Sequence, residues 1–163
     1  MKAGRITVST RKFSVTDIPI PQPADGEVRI KVGAAGVCLS DVHFLDGTLS
    51  PGYLKGDEVT LGHEVAGTID ELGQDVHTYV KGDRVLVIAG ERNEKNQITT
   101  LGFDYDGGYA EYVVTKAALL VKIPDNLPFE EAAIIPDAVS TPWAAISSTA
   151  KMQKGEKIGR AHV

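Results

Sequence analysis

Mainly β, with antiparallel strands and a helical end, is the fold class that the sequence predicts. Three observations carry this expectation. Most of the chain divides into short runs of two-residue apolar period between glycine and proline punctuation. Helical signals gather only after Pro128. The regular alternation of strand and helix that a parallel sheet requires is missing.

Taken in order, residues 5–8 ("RITV") read as a first strand. In residues 27–32 ("EVRIKV"), Val28, Ile30 and Val32 alternate with Arg29 and Lys31, the pattern of a half-buried strand. Residues 64–72 ("EVAGTIDEL"), 83–88 ("DRVLVI") and 109–114 ("YAEYVV") follow the same rule, whereas 89–100 ("AGERNEKNQITT") is polar enough to be an exposed loop. Pro128 suits a first helical turn, where its missing N–H costs no bond, and Glu130 and Glu131 face the positive end of the helix dipole. Thr141-Pro142 opens another helix with Trp143, Ile146 and Ala150 on one face, and Trp143 is expected to be buried there. There is no internal repeat and no low-complexity segment.

Composition narrows the function. The 163 residues are 42% hydrophobic and 24% charged, enough for a domain with a real core. The 17 basic residues are scattered and are outnumbered by 22 acidic ones, for a net charge of −5, which argues against nucleic acid and anionic membrane as partners. No apolar run approaches the roughly 20 residues that span a bilayer, and the N-terminus lacks a signal-peptide pattern. A cytoplasmic protein is the expectation. Cys38 is the single cysteine, so a disulfide within the chain is impossible, and a functional role for it is that of ligand or nucleophile.

His63 and Glu64 stand side by side in the apolar stretch "TLGHEVAG" (60–67). An unpaired charge buried there costs several kcal/mol, so partners are needed. Thiolate, imidazole and carboxylate are the groups that build metal sites, and Cys38 follows directly on the strand at 27–32. The ordinary reading of a lone cysteine is a small buried hydrophobe and of a lone histidine a satisfied core or surface group, and spacing alone favours these readings over a metal site.

Five stretches decide between them by likeness. "GVCLSDVH" (36–43), "LGHEVAG" (61–67), "VKGDRV" (80–85), "DGGYAEYV" (106–113) and "IPDNLPFEEAA" (123–133) occur in the order found in zinc-dependent medium-chain alcohol dehydrogenases, which this chain resembles over residues 4–158. The resemblance implies a GroES-like, partly open β-barrel with short helices. It also implies a catalytic zinc site held by Cys38, His63 and Asp137. Asp137 stands where the family commonly has a cysteine, and a helix N-cap is its other reading. Glu64 matches a glutamate behind the metal, Ser40 the hydroxyl that bonds the substrate oxygen, and His43 the histidine that passes the proton on, with an ordinary exposed histidine as its alternative. Asp41 corresponds to a residue that orients a ligand or an arginine. Thr141 matches a residue that touches the nicotinamide ring, and Leu39 departs from a residue that contacts the cofactor's pyrophosphate. His77 and His162 default to solvent.

Two departures shape the expected function. The interval 86–106 holds no cysteine, so the four-thiolate structural zinc of many relatives cannot form. The family pattern also runs past "KGEKIG" (154–159) into a dinucleotide-binding domain, but this sequence has no G-x-G-x-x-G and closes on "RAHV". Residues 1–133 are therefore expected to form the GroES-like catalytic domain, and 134–163 the truncated start of a nucleotide-binding domain. The implied activity is oxidation of an alcohol or polyol, or reduction of the carbonyl, with NAD or NADP used only in a full-length enzyme. The isolated chain is expected to be inactive for lack of the cofactor domain. Its partners are a small-molecule alcohol or carbonyl substrate and either a homo-oligomer or that missing domain. Two other readings stay open: a free-standing GroES-like zinc-binding or interaction module, and a zinc-free reductase relative.

Overall fold

Alternating apolar residues along two long strands build the centre of the protein. In the computed structural model, which describes residues 1–159, β3 (Glu27–Gly36) pairs antiparallel with β5 (Glu64–Leu72). Val28, Ile30, Val65 and Ile69 from this pair are buried together with Val85, Val87, Val113 and Leu120. With β6 (Arg84–Val87), β9 (Tyr112–Lys116) and β10 (Leu120–Lys122) they form a five-stranded sheet in the order β10-β6-β5-β3-β9. A second sheet, in the order β2-β1-β4, is made of β1 (Lys2–Thr7), β2 (Lys12–Asp17) and β4 (Glu58–Thr60). A bridge between Ala3 and Ala110 seams the two sheets, and each keeps free edges, so the barrel is partly open.

The register of β3 on β5 runs from Val28 opposite Leu72 to Gly36 opposite Glu64, with irregularities at Arg29/Ile30 and Val32/Ala34 that bend the pair. The chain leaves β3 at Gly36 and enters β5 at Glu64, so Cys38 and His63 lie on loops at one shared end of the ladder. Beyond Cys38 comes α1 (Leu39–Asp46), a helix the sequence analysis did not anticipate. Its buried residues are Asp41 and Phe44, and so small an apolar set leaves little periodic signal. Gly47 closes it in the left-handed conformation, with φ 87°.

The segment 89–100, expected to be a loop, is a hairpin of β7 (Gly90–Arg92) and β8 (Ile98–Thr100). Local side-chain bonds replace hydrophobic patterning there. The Asn93 side-chain oxygen accepts from the Lys95 and Gln97 N–H groups and fixes the turn.

Helix α2 (Phe129–Ala133) begins after Pro128, as expected, and buries Ala132 and Ala133 against Ala66, Leu86 and Ile123 of the sheet layer. A wide π-helical turn (Ile135–Val139) leads into α3 (Ser140–Ala144), and a second such turn (Ala145–Thr149) follows. The second helix thus starts before Thr141-Pro142. Its contacts are chiefly with its neighbouring turns and not with the sheet, and Trp143, expected to be buried, is 69% exposed. His162 and the "RAHV" end lie outside the described residues. No helix among the described residues is long and apolar enough to cross a membrane.

Candidate metal centre

Three chemically different donors converge where these elements meet. Cys38 precedes α1, His63 occupies the bend between β4 and β5, and Asp137 rides on the π-helical turn after α2. Asp137 Oδ2 lies 3.4 Å from Cys38 Sγ and 3.4 Å from His63 Nε2. One donor atom from each residue falls within 4.8 Å of the other two. Zinc donors placed about 2.0–2.3 Å from the metal stand about 3.3–3.8 Å apart in a tetrahedron, so this spacing suits a cation of that size. Sulfur, imidazole nitrogen and carboxylate oxygen together are a zinc-type donor set.

Burial makes the groups around His63 costly without compensation. His63 is packed against the Phe103 ring, with centroids 5.0 Å apart, and its side chain is 4% exposed. Asp41 and Glu64 are equally buried, at 3% and 2%. Burial alone would lower the His63 pKa, but the Asp41 carboxylate and Cys38 outweigh it and raise it to about 9. Burial pushes Glu64 upward, against a hydrogen bond from the Ala138 N–H at 3.2 Å. Burial also opposes ionisation of Asp41, yet the facing His63 imidazole and bonds from the Cys38 N–H and the Tyr109 hydroxyl hold it below its ordinary value. Asp137 is likewise held low, first by the Thr141 hydroxyl. The field is anionic and favours a bound cation. His63 Nδ1 and Asp41 Oδ1 face each other at 3.5 Å, and each is buried without a hydrogen-bond partner.

The remaining expected residues are placed as follows. Ser40 Oγ lies 3.5 Å from Cys38 Sγ. His43 is half-buried one turn further along α1, with Nδ1 3.7 Å from the Asp46 carboxylate, and among the described residues no hydrogen bond joins it to Ser40. Glu64 is no surface carboxylate: it lies against Gly36, where an added Cβ would strike its Oε2, and it ties β5 to the Asp137 turn through Ala138. Asp137 sits inside its turn and is not an N-cap; the flanking residue of α3 is Val139. Thr141 donates to Asp137 Oδ1 at 2.7 Å. Leu39 is exposed, as are His77 and Trp143.

Tyr109 escaped sequence reasoning. Its hydroxyl lies 2.7 Å from Asp41 Oδ2 and 3.0 Å from the Gly36 carbonyl. Its place in "DGGYAEYV" marked it as a family residue, but nothing in its spacing linked it to Asp41.

Comparison with known proteins agrees with this fold. A family profile for the alcohol dehydrogenase GroES-like domain matches residues 24–125. A NAD-dependent alcohol dehydrogenase of Sulfurisphaera tokodaii is 40% identical over 131 residues, covering 70% of this chain and 38% of the relative. An (R,R)-butanediol dehydrogenase of Bacillus subtilis is 33% identical over 174 residues, covering 96% of this chain and 49% of the relative. A crystal structure of a NAD-dependent alcohol dehydrogenase superposes with a TM-score of 0.83 at 32% identity, over 95% of this chain and 49% of that one. The chain spans less than half the length of these relatives. Sheet order, the converging thiol, imidazole and carboxylate, and these likenesses lead to one conclusion: the chain belongs to the medium-chain zinc alcohol dehydrogenase family and carries its GroES-like domain.

Proposed function

We propose that the chain is the substrate-side half of a zinc- and nicotinamide-dependent dehydrogenase that oxidises an alcohol or polyol, or reduces the matching carbonyl compound. The observation that carries this reading is the meeting of Cys38 Sγ, His63 Nε2 and Asp137 Oδ2. Relatives whose names specify NAD-dependent alcohol and butanediol dehydrogenation support the reaction class. Cys38, His63 and Asp137 would hold the metal, which when bound lowers the proton affinity of a substrate oxygen. Ser40, beside the Cys38 sulfur, would take the proton of the alcohol while giving up its own hydroxyl proton. His43, three residues along the same helix, passes it outward. Glu64 stands behind the site and anchors the Asp137 turn through the Ala138 N–H, and would offer its carboxylate to a bound metal when substrate or water exchanges. The Thr141 hydroxyl is already given to Asp137, so its contact with a nicotinamide ring falls to the methyl group. Hydride transfer needs a dinucleotide-binding unit that residues 134–163 would begin, and residues 1–163 alone are expected to bind metal without turning over alcohol.

The test is metal analysis of protein purified without chelators. About one zinc per chain is expected, lost in Cys38→Ser and in His63→Ala. Cobalt substitution gives a thiolate charge-transfer band that disappears in Cys38→Ser. A metal-free wild-type protein overturns the zinc reading in favour of a reductase relative that works without metal, and assembly that ignores zinc would favour an interaction module.

A further inference from the structure

Tyr109 belongs to no ligand set and to no proton path, yet it touches three segments that converge on the metal centre. Its backbone N–H donates to the Leu61 carbonyl at 2.8 Å, two residues before His63. Its ring lies against Gly62, where an added Cβ would meet the Tyr109 Cδ1 atom at 2.5 Å, and Gly62 has φ +96°. Its hydroxyl reaches the Gly36 carbonyl at the end of β3 and the Asp41 carboxylate in the first turn of α1.

The division of labour on Asp41 follows from this geometry. Asp41 Oδ2 takes two donors, the Tyr109 hydroxyl at 2.7 Å and the Cys38 N–H at 3.0 Å. Oδ1 is left to face His63 Nδ1. A carboxylate fixed through one oxygen cannot rotate about its terminal bond, so its other oxygen keeps a constant bearing on the imidazole. Burial and the Asp41 charge both push the Tyr109 phenol above its ordinary value, so it stays a proton donor.

We propose that Tyr109 is a positioning residue for the metal centre, acting through Asp41 to fix the bearing of the His63 ring. Asp41 Oδ1 faces Nδ1 at 3.5 Å while Nε2 lies beside Asp137, so a metal that takes Nε2 leaves the remaining imidazole proton on Nδ1, directed at Asp41. The proposal rests on the zinc reading only for what Nε2 binds; the Tyr109–Asp41–His63 chain exists in the protein itself.

Two readouts on wild type, Tyr109→Phe and Tyr79→Phe test it. Tyr79 is the matched control, because its hydroxyl donates to the Leu120 carbonyl at 2.6 Å in the outer part of the sheet. The first readout is zinc affinity by chelator competition. Tyr109→Phe is expected to weaken binding about tenfold, the low end of the range for partners of ligating histidines, and Tyr79→Phe to leave it unchanged. The second is the nitrogen-15 and proton resonance of His63 Nδ1–H, which Tyr109→Phe shifts or exchange-broadens and Tyr79→Phe does not. A wild type that binds zinc alongside a Tyr109→Phe variant with the same affinity and the same His63 signal overturns the proposal. A wild type that takes up no zinc defeats the zinc reading instead, and the His63 signal of the metal-free proteins still decides the role of Tyr109.

Discussion

Each donor of the centre is held by a different kind of neighbour. Cys38 is set by its place between strand and helix, His63 by Asp41 and Phe103, and Asp137 by Thr141. The Thr141 bond occupies Oδ1 and leaves Oδ2 facing Cys38 and His63, so the carboxylate is prepared to bind through one oxygen. Thr141→Val keeps the shape and removes that bond. Zinc affinity is expected to fall about tenfold, read by chelator competition, with Thr141→Ser restoring most of it. Single residues were only half legible in the sequence. Cys38, His63 and Asp137 were found by likeness and not by spacing, because residues 99 positions apart in sequence meet through a fold that no local pattern encodes. Tyr109 was invisible for the same reason, and Trp143 misled because an apolar residue on a helix implies a buried face only when something packs on it.

At the level of elements, the docking of α2 matters most, since it delivers the Asp137 turn to the sheet. Phe129 lies against Gly33 of β3, the Arg84 guanidinium stacks over its ring at 4.3 Å, and Arg84 also bonds the Asp125 and Leu127 carbonyls. Phe129→Ala is expected to cost about 2–3 kcal/mol, below the fully buried range because the ring is partly exposed. Urea unfolding measures that cost, and zinc affinity should drop with it. Residues 27–32 were legible because Val28 and Ile30 are buried in alternation, and 64–72 because its apolar residues run on from a stretch buried on both faces. The edge strand β2, with its mostly exposed residues, and the short hairpin at Gly90–Thr100 were not, since backbone pairing and turn chemistry, not burial, define them. Helix α1 was missed because its first turn buries Asp41, a polar residue placed for the centre.

Across the whole molecule, ion pairs at the sheet make its stability sensitive to acid. Hydrogen bonds from Arg29 hold Asp70 below its ordinary carboxyl value, and the Lys122 ammonium does the same for Asp83. A carboxyl depressed on folding stabilises fully above its unfolded value and loses that contribution as pH falls through the folded one. The melting temperature is therefore expected to fall between about pH 5 and pH 2, and Asp70→Asn to flatten that slope. The pairing of Gly36 with Glu64 has a kinetic side as well. Two of the proposed donors, Cys38 and His63, lie at one end of the long β3–β5 pair, whereas the third, Asp137, is carried by a short helical arm. Zinc should then leave by the swinging away of Asp137, at a rate that Phe129→Ala accelerates and that low denaturant increases well before the sheet melts. The expected behaviour is that of a hinge-and-latch, in which the residence time of a bound metal follows the weakest arm and not the stability of the fold.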